Sequence, residues 1–194
     1  MSAPATRKRR PERRDELLAA AARLFHERGY HDTGIDDIGE AAGITGPGVY
    51  RHFRNKEEIL ETLATEYGAP ALAQAKRIIE EAATPEDALA ALADLHVSTV
   101  LAHPSVSAVA LFEHRILRPE TRAQLERMER KYVEEWVHTL HQVRPELDDS
   151  TARLMVHGAL GLGLSICSFN SGLADDVVRE RLTTMIVLAL TADR

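Results

Sequence analysis

The residue types that could do chemistry are concentrated in the first third of the chain, around a short turn. Gly43, Ile44 and Thr45 join two segments with helical periodicity. A tight helix–turn–helix needs a residue that tolerates positive φ, then an inward apolar residue, then a cap for the next helix. The segment after the turn has these residues on or near its outward side: Gly46, Pro47, Tyr50, Arg51 and Arg54. Such a helix is suited to enter the major groove of DNA, although an ordinary helical corner is the alternative.

The N-terminal arm, residues 1–12, brings positive charge next to this unit. Only Glu12 opposes a cluster of basic side chains, namely Arg7, Lys8, Arg9, Arg10, Arg13 and Arg14. The chain as a whole has a formal net charge of -6, so the positive charge is local. A flexible arm that contacts phosphates or the minor groove is one interpretation, and a solvated tail is the other.

Composition excludes several classes of protein. With 194 residues, 44% of them hydrophobic and 28% charged, the chain has the composition of a folded globular protein rather than a disordered or fibrous one. It has no run of about 18 apolar residues that could span a bilayer, and its N-terminus lacks the apolar core of a signal peptide. The single cysteine, Cys167, excludes an intramolecular disulfide and a multi-cysteine metal site. We therefore expect a cytoplasmic protein without membrane contact, metal or cofactor.

Helical periodicity runs through the chain, and no stretch alternates as a β-strand would. The first three helices are expected over residues 13–28, 35–42 and 45–53. Gly29 and Gly43 should end the first two, because a residue with positive φ commonly closes a helix C-terminus. Asn55 should cap a fourth helix, while Gly68 and Pro70 predict a kink or break in it. Further helices are expected over residues 71–83, 85–102, from 104, 119–144, 152–169 and 175–190. The prediction is an all-α chain.

The stretch from Tyr30 to Leu60 closely resembles the DNA-binding signature of TetR-family transcriptional regulators. Its most telling parts are Ala42-Gly43-Ile44-Thr45, then Val49-Tyr50-Arg51-His52-Phe53, then Lys56-Glu57. The resemblance implies a three-helix DNA-binding domain with a helix–turn–helix over residues 13–56. It also implies a helical domain over residues 57–194 that binds a small-molecule effector, forms a homodimer and controls binding to double-stranded operator DNA.

The resemblance assigns DNA contacts to particular positions of this chain. They are Thr33, Gly34, Thr45, Gly46, Pro47, Gly48, Tyr50, Arg51, His52 and Lys56. Thr45 should cap the recognition helix, Tyr50 should reach a phosphate oxygen, and Lys56 should add an ammonium at the first turn of the fourth helix. The alternatives are a core aromatic at Tyr50 and a solvated lysine at Lys56. His52 either contacts phosphate or flanks the core.

Three glycines depart from the usual family pattern. Gly34 stands where Ser or Thr often caps the helix, so the cap is expected at Thr33. Gly39 replaces a usual alanine, which keeps a close helix approach but loses roughly 1 kcal/mol of helix propensity. Gly48 leaves the first turn of the recognition helix without a hydrogen-bonding side chain. Base recognition must therefore rely on Thr45, Arg51, apolar contact from the proline of that turn, and DNA shape.

The C-terminal part offers candidate positions rather than a motif. Candidate effector-binding residues are Phe112, Arg115, Tyr132, Trp136, Met155 and Phe169. The expected ligand is largely apolar with an acidic or thioester-linked end, and Arg115 could pair with its carboxylate or phosphate. The alternative is that the aromatics fill the core and Arg115 pairs with Glu113 or Glu120. By analogy with the family, the last two helices pair with those of a second copy, unless they belong to an intrachain core.

Other functions remain as alternatives to a ligand-released repressor. Scattered histidines raise the possibility of a metal-responsive regulator: His96, His103, His114, His138, His141 and His157. Only His138 and His141 have helix-neighbour spacing. A structural DNA-binding protein that responds to no ligand would also fit the motif. An enzyme would need a nucleophile–base or metal constellation, and Cys167 lies on an apolar segment, so we expect no enzymatic activity.

Overall fold

The computed structural model describes residues 10–112, 116–169 and 171–192. Within these residues the chain forms nine α-helices and no β-strand, which confirms the predicted all-α class. The helices are α1 (Arg10–Arg28), α2 (Ile35–Ala41), α3 (Gly46–Val49), α4 (Lys56–Glu81), α5 (Pro85–Ala102), α6 (Pro104–Phe112), α7 (Pro119–Val143), α8 (Asp149–Leu164) and α9 (Asp175–Thr191). A short 3-10 turn, Ser165–Cys167, follows α8. Among the described helices, none combines the length and the hydropathy needed to cross a bilayer.

The two glycines expected to end helices do so. Gly29 follows α1 with φ of 85°, and Gly43 follows α2 with φ of 70°. At the second site the Gly43 N–H donates to Glu40 O at 2.9 Å, and the Ile44 N–H donates to Gly39 O at 2.8 Å. These bonds satisfy carbonyls that the helix end would otherwise leave free, and only a left-handed residue allows them.

The apolar side chains form two main cores, and α4 contributes to both. The first core joins α1, α2, α3 and the start of α4 with residues from and after α6: Leu17, Phe25, Ile38, Val49, Phe53, Leu60, Val106 and Leu117 are among its members. The second joins the far half of α4 with α5, α7, α8 and α9, including Ala75, Leu92, Trp136, Leu140, Val156 and Ile186. The DNA-binding domain predicted to end at residue 56 therefore shares its core with later parts of the chain.

The fourth helix is one continuous element, so of the predicted kink or break the break is wrong. α4 runs for 26 residues with Pro70 inside it. Proline removes one backbone N–H and therefore one helical hydrogen bond, which an otherwise well-packed helix can tolerate. Leu60 and Leu63 anchor α4 in the first core, and Ala75 anchors it in the second.

Other helix ends differ from expectation by a few residues. α1 begins at Arg10 rather than residue 13, so part of the predicted arm is helical. The recognition helix ends at Val49 rather than residue 53. Beyond it, the N–H groups of His52 and Phe53 both donate to Val49 O, at 2.8 and 3.1 Å, in a turn that returns Phe53 to the core. The helix predicted to reach residue 169 ends as α8 at Leu164.

Candidate nucleic-acid interface

The helix–turn–helix is held together by direct contact between α2 and the turn. A Cβ placed on Gly39 would lie 3.0 Å from Ile44 O and 3.2 Å from Gly46 N. This close approach explains why a very small residue stands in the middle of α2, as expected from the sequence. The side chains of Ile38 and Val49, both fully buried, then join the two helices to the first core.

The first turn of α3 is partly exposed. Thr45 occupies the N-cap position, as expected, with φ of -81° and ψ of 155°, but among the described residues its side chain makes no capping hydrogen bond. Its carbonyl accepts from the N–H groups of Gly48 and Val49, at 2.7 and 3.2 Å. Thr45 and Pro47 are exposed. Gly46 is buried, because the Asp36 carboxylate lies where its side chain would project.

The start of α2 is capped by Gly34 rather than by Thr33. The Asp37 carboxylate accepts from the Gly34 N–H at 2.7 Å, and Gly34 is exposed. The Thr33 side chain is 1% exposed, and its hydroxyl donates to Gly29 O at 2.9 Å. The prediction that Thr33 caps α2 is therefore wrong, and its side chain has no surface from which to contact DNA. It instead fastens the segment before α2 to the end of α1.

The residues after α3 present polar groups to solvent. Tyr50 is 57% exposed, which contradicts the alternative of a core aromatic. Arg51 is exposed and His52 is half-buried. The Arg54 side chain is 85% exposed and pairs with Glu58 at 3.3 Å between Nε and Oε2. The Arg54 backbone N–H and guanidinium lower the pKa of the Glu58 carboxyl.

Lys56 is neither a simple solvated lysine nor a free phosphate ligand. Its Nζ donates to Tyr30 O at 2.7 Å and to Thr33 O at 2.8 Å, and it lies 4.2 Å from the centroid of the Tyr30 ring. The ammonium thus holds the segment that precedes α2 against the start of α4. An ammonium has three N–H donors, so two carbonyls leave one donor for a phosphate.

Two arginines of the basic cluster belong to the folded domain. Arg13 Nη1 donates to Ala42 O at 2.9 Å, which ties α1 to the end of α2. Arg14 forms a two-bonded pair with Glu66 at 2.6 and 2.8 Å, and it lies 5.4 Å from the centroid of the Phe53 ring. Residues 1–9 lie outside the described part of the chain, so the role of the arm stays a prediction.

Several side chains that hold these surfaces in place were not predicted from the sequence. Asp37 stands three residues after Gly34, which is the spacing of a capping acid and could have identified it. The contact of Arg13 with Ala42 spans 29 residues, so no local pattern indicates it.

The structure brings part of the candidate effector set together. Trp136 is fully buried, and the Tyr132 and Trp136 rings lie 6.2 Å apart within the second core. Met155 packs against the same core as a partly buried residue. Phe169 is 66% exposed beyond α8, so its placement does not fit a residue that lines a buried pocket. The remaining two candidates are Phe112, the last residue of α6, and Arg115, which lies outside the described residues.

The described histidines do not assemble into a metal-binding cluster. In the part of the chain that the structure describes, no three His, Cys, Asp or Glu side chains are grouped to hold a metal ion. His138 Nε2 lies 3.0 Å from Gln142 Nε2, and His141 lies 3.9 Å from Asp149 Oδ1. His96 Nε2 lies 2.9 Å from Leu160 O. His114 lies outside the described residues.

Similarity to known proteins identifies the family. Residues 17–63 match the family described as bacterial regulatory proteins, tetR family. The HTH-type transcriptional repressor KstR2 of Mycobacterium tuberculosis is 30% identical over 143 residues, which are 70% of this chain and 72% of that protein. The chain belongs to the TetR family. It is thus a DNA-binding transcriptional regulator with a helix–turn–helix.

Two further comparisons define the extent of the likeness. KstR2 of Mycolicibacterium smegmatis is 34% identical over 90 residues, so the match spans 46% of this chain and only 44% of that relative. The crystal structure of AibR in complex with isovaleryl coenzyme A and operator DNA has a TM-score of 0.74 and 25% identity. It covers 89% of this chain and 97% of that one. The likeness in fold therefore extends well beyond the DNA-binding domain.

Proposed function

We propose that this regulator is a repressor that binds operator DNA as a homodimer and is released by a small apolar or acyl-type effector. The observation that carries the proposal is the likeness to AibR over 89% of this chain, because that structure holds both operator DNA and an acyl-coenzyme A. The KstR2 relatives, which are named transcriptional repressors, support repression.

The DNA contacts are proposed from exposure and residue type. Tyr50 is 57% exposed and places a phenol beside α3, suited to a phosphate oxygen. Exposed Arg51 is suited to guanine, and exposed Pro47 to a thymine methyl. The hydroxyl of Thr45 adds a polar contact at the start of α3. The other positions are assigned backbone or secondary roles: Gly34, Gly46, Gly48, His52 and the one unused donor of Lys56.

The homodimer is proposed to form through α8 and α9. Large apolar side chains lie exposed on both helices: Leu154 at 74%, Met185 at 49% and Leu188 at 59%. On α8, Gly158 and Gly161 follow Leu154 at helical spacing and have open space where a Cβ would project. Small residues beside large apolar ones allow two helices to approach closely. An apolar face of this kind is suited to burial against a second copy.

The effector is proposed to enter the helical domain between α5, α7 and α8. Tyr132, Trp136 and Met155 supply the largely apolar and aromatic lining that small-molecule sites have. The contribution of Arg115 as a cation for a phosphate of the coenzyme A part is included in the same proposal. Exposed Phe169 is better assigned to the dimer face than to this lining.

A binding assay with three additions tests the proposed function. Operator DNA is first selected from a random duplex pool and its affinity measured by fluorescence anisotropy. The complex is then challenged with isovaleryl and octanoyl coenzyme A, with EDTA or Zn²⁺, and with free coenzyme A as the control. Release by the acyl esters alone supports the proposal. Release by the metal treatment indicates a metal-responsive regulator, and binding that ignores every addition or lacks sequence preference indicates a structural DNA-binding protein.

The dimer is tested separately by light scattering after size exclusion. Leu188→Arg should shift the protein to a monomer, while the equally basic change Ala83→Arg, at an exposed position before α5, should leave the mass unchanged. A variant at Leu188 that keeps the wild-type mass would place the interface elsewhere.

A further inference from the structure

Three aromatic side chains from two helices meet inside the second core. His96 of α5 lies edge-on to Trp136 of α7 with ring centroids 6.2 Å apart, and its ring is 6.5 Å from Tyr132. The Tyr132 and Trp136 rings complete the triangle at 6.2 Å. The opposite wall is α8, where a Cβ on Gly163 would lie 2.6 Å from His96 Nε2 and therefore cannot be accommodated. His96, Tyr132 and Trp136 together form an aromatic triad.

The protonation states of the triad are fixed by its contacts. His96 Nε2 must carry the proton, because its partner at 2.9 Å is the Leu160 carbonyl, which only accepts. Burial lowers the pKa of His96, so the ring is neutral. Burial raises the pKa of Tyr132 to about 12, and the neighbouring Trp136 offsets part of that rise. All three side chains are therefore uncharged near neutral pH.

Trp136 has a polar atom that the fold does not use. Its side chain is 0% exposed, and among the described residues its indole Nε1 has no hydrogen-bond partner. A buried N–H without an acceptor is unfavourable, and an apolar aromatic side chain such as phenylalanine carries no such group. The indole N–H and the Tyr132 hydroxyl are carried by neighbouring rings with centroids 6.2 Å apart, and both groups can donate. An acceptor supplied from outside the chain would satisfy them.

We propose that the Trp136 indole N–H, assisted by the Tyr132 hydroxyl, binds the neutral carbonyl oxygen of the effector, so that the preferred ligand class is a thioester or ketone and not a free acid. The inference rests on the proposed effector-dependent function and narrows its ligand. An ionised carboxylate taken into this core would need a charged partner, and the triad offers only neutral donors. A carbonyl flanked by apolar groups needs donors without a charge.

The location also links the ligand to the proposed dimer. Leu160 and Gly163 lie on α8, the helix whose outer face carries Leu154 and Gly161. His96 touches α8 on one side and Trp136 on the other. A carbonyl bound at the triad therefore acts one layer away from the helix pair proposed to join the two copies.

The test compares two ligands that differ by one oxygen atom. Octanoyl coenzyme A and its thioether analogue, S-octyl coenzyme A, have the same chain and the same nucleotide, but only the first has a carbonyl. Trp136 is the only tryptophan of the chain, so its emission reports on the triad without labelling. Affinities are measured by that emission and by calorimetry, the latter being required for Trp136→Phe. Octanoate is included as the free acid.

The thioester should bind the wild type about tenfold more tightly than the thioether, and octanoate more weakly than the thioester. Tyr132→Phe and Trp136→Phe should each reduce thioester affinity by roughly fivefold to tenfold and leave thioether affinity unchanged. The matched control is Thr139→Val on the same helix. This change also removes a buried hydroxyl, but one that already donates to Glu135 O at 2.8 Å. The ratio of thioester affinity to thioether affinity should therefore stay at its wild-type value.

The outcomes separate this inference from the function on which it rests. Equal affinity of thioester and thioether for the wild type, or equal losses for both ligands in the variants, would overturn the carbonyl site and leave an acyl-coenzyme A effector in place. Binding of neither ligand, with operator binding intact, would overturn the acyl-coenzyme A effector and this inference together. Should Trp136→Phe fail to fold, the Tyr132→Phe comparison alone decides.

Discussion

Replacing Lys56 by methionine should destabilise the protein far more than an ordinary surface lysine change. Methionine keeps most of the side-chain length but removes the ammonium that donates to Tyr30 O and Thr33 O at 2.7 and 2.8 Å. A hydrogen bond from a charged donor contributes about 1.5–3 kcal/mol when buried. Both bonds are partly buried, so the lower end of that range is appropriate for each.

The net effect follows from these two bonds and one opposing term. Two bonds at the lower limit sum to about 3 kcal/mol. Lys56 is the first residue of α4, where a cation opposes the helix dipole, and its removal returns about 0.5 kcal/mol. We therefore expect a loss of about 2.5 kcal/mol, or roughly 5–10 °C in melting temperature for a chain of this length.

Urea denaturation followed by circular dichroism measures this loss. Lys76→Met, on the same helix, is the matched control, because the Lys76 ammonium is 3.5 Å from Glu135 Oε1 and its side chain is 53% exposed. An exposed pair of that kind contributes about 0–1 kcal/mol. Equal destabilisation by the two variants would refute the role assigned to Lys56. In DNA binding, Lys56→Met should also reduce the salt dependence by about one counterion if the remaining donor reaches a phosphate.

Three further outcomes are expected. Tyr50→Phe should lower operator affinity about tenfold without changing the melting temperature, because the 57% exposed phenol is free to reach a phosphate; unchanged affinity in anisotropy titrations would argue against that contact. Glu61→Gln should destabilise at pH 7 and progressively less in acid. Arg118 and Thr121 lower the pKa of Glu61 below its ordinary 4.5. The stabilisation that the ionised Glu61 contributes is therefore complete above pH 4.5 and is lost as the pH falls through the pKa of the folded state. If the urea midpoints of the wild type and the variant differed by the same amount at pH 7 and at pH 3.5, this expectation would be contradicted. Gly43→Ala, at φ of 70°, should cost about 1–2 kcal/mol, and a wild-type urea midpoint would falsify the left-handed cap.

Sequence patterns predicted the features of this fold that depend on local conformation. Gly29 and Gly43 mark helix ends because the positive φ that closes a helix is a property of one residue. Local conformation did not predict the course of the chain at Pro70. Proline removes one helical hydrogen bond there, but both ends of α4 are held by core contacts with residues distant in sequence. Helix position is decided there by tertiary packing.

In the candidate interface, too, local features were predicted and contacts between distant segments were not. Tyr50 was expected outward, and its placement after a core residue makes that a local inference. The structural contacts of Thr33 and Lys56 were not predicted, because their partners lie in other segments: the Thr33 hydroxyl donates to Gly29 O, and the Lys56 ammonium reaches carbonyls 23 and 26 residues away. His96 escaped notice as a triad member for the same reason, since Trp136 is 40 residues away in sequence.

The unbroken α4 connects the second core mechanically to the DNA-binding domain. Its 26 residues make a rod about 39 Å long, with Lys56 at one end and Ala75 near the other. A tilt of only about 5° around the far end displaces the Lys56 end by about 3 Å, the length of one N–H···O bond. Because Lys56 donates hydrogen bonds to the carbonyls of Tyr30 and Thr33, the segment before α2 should move together with the N-terminal end of α4. A small tilt of α4 within the second core would therefore move the segment before α2 by about the length of one hydrogen bond.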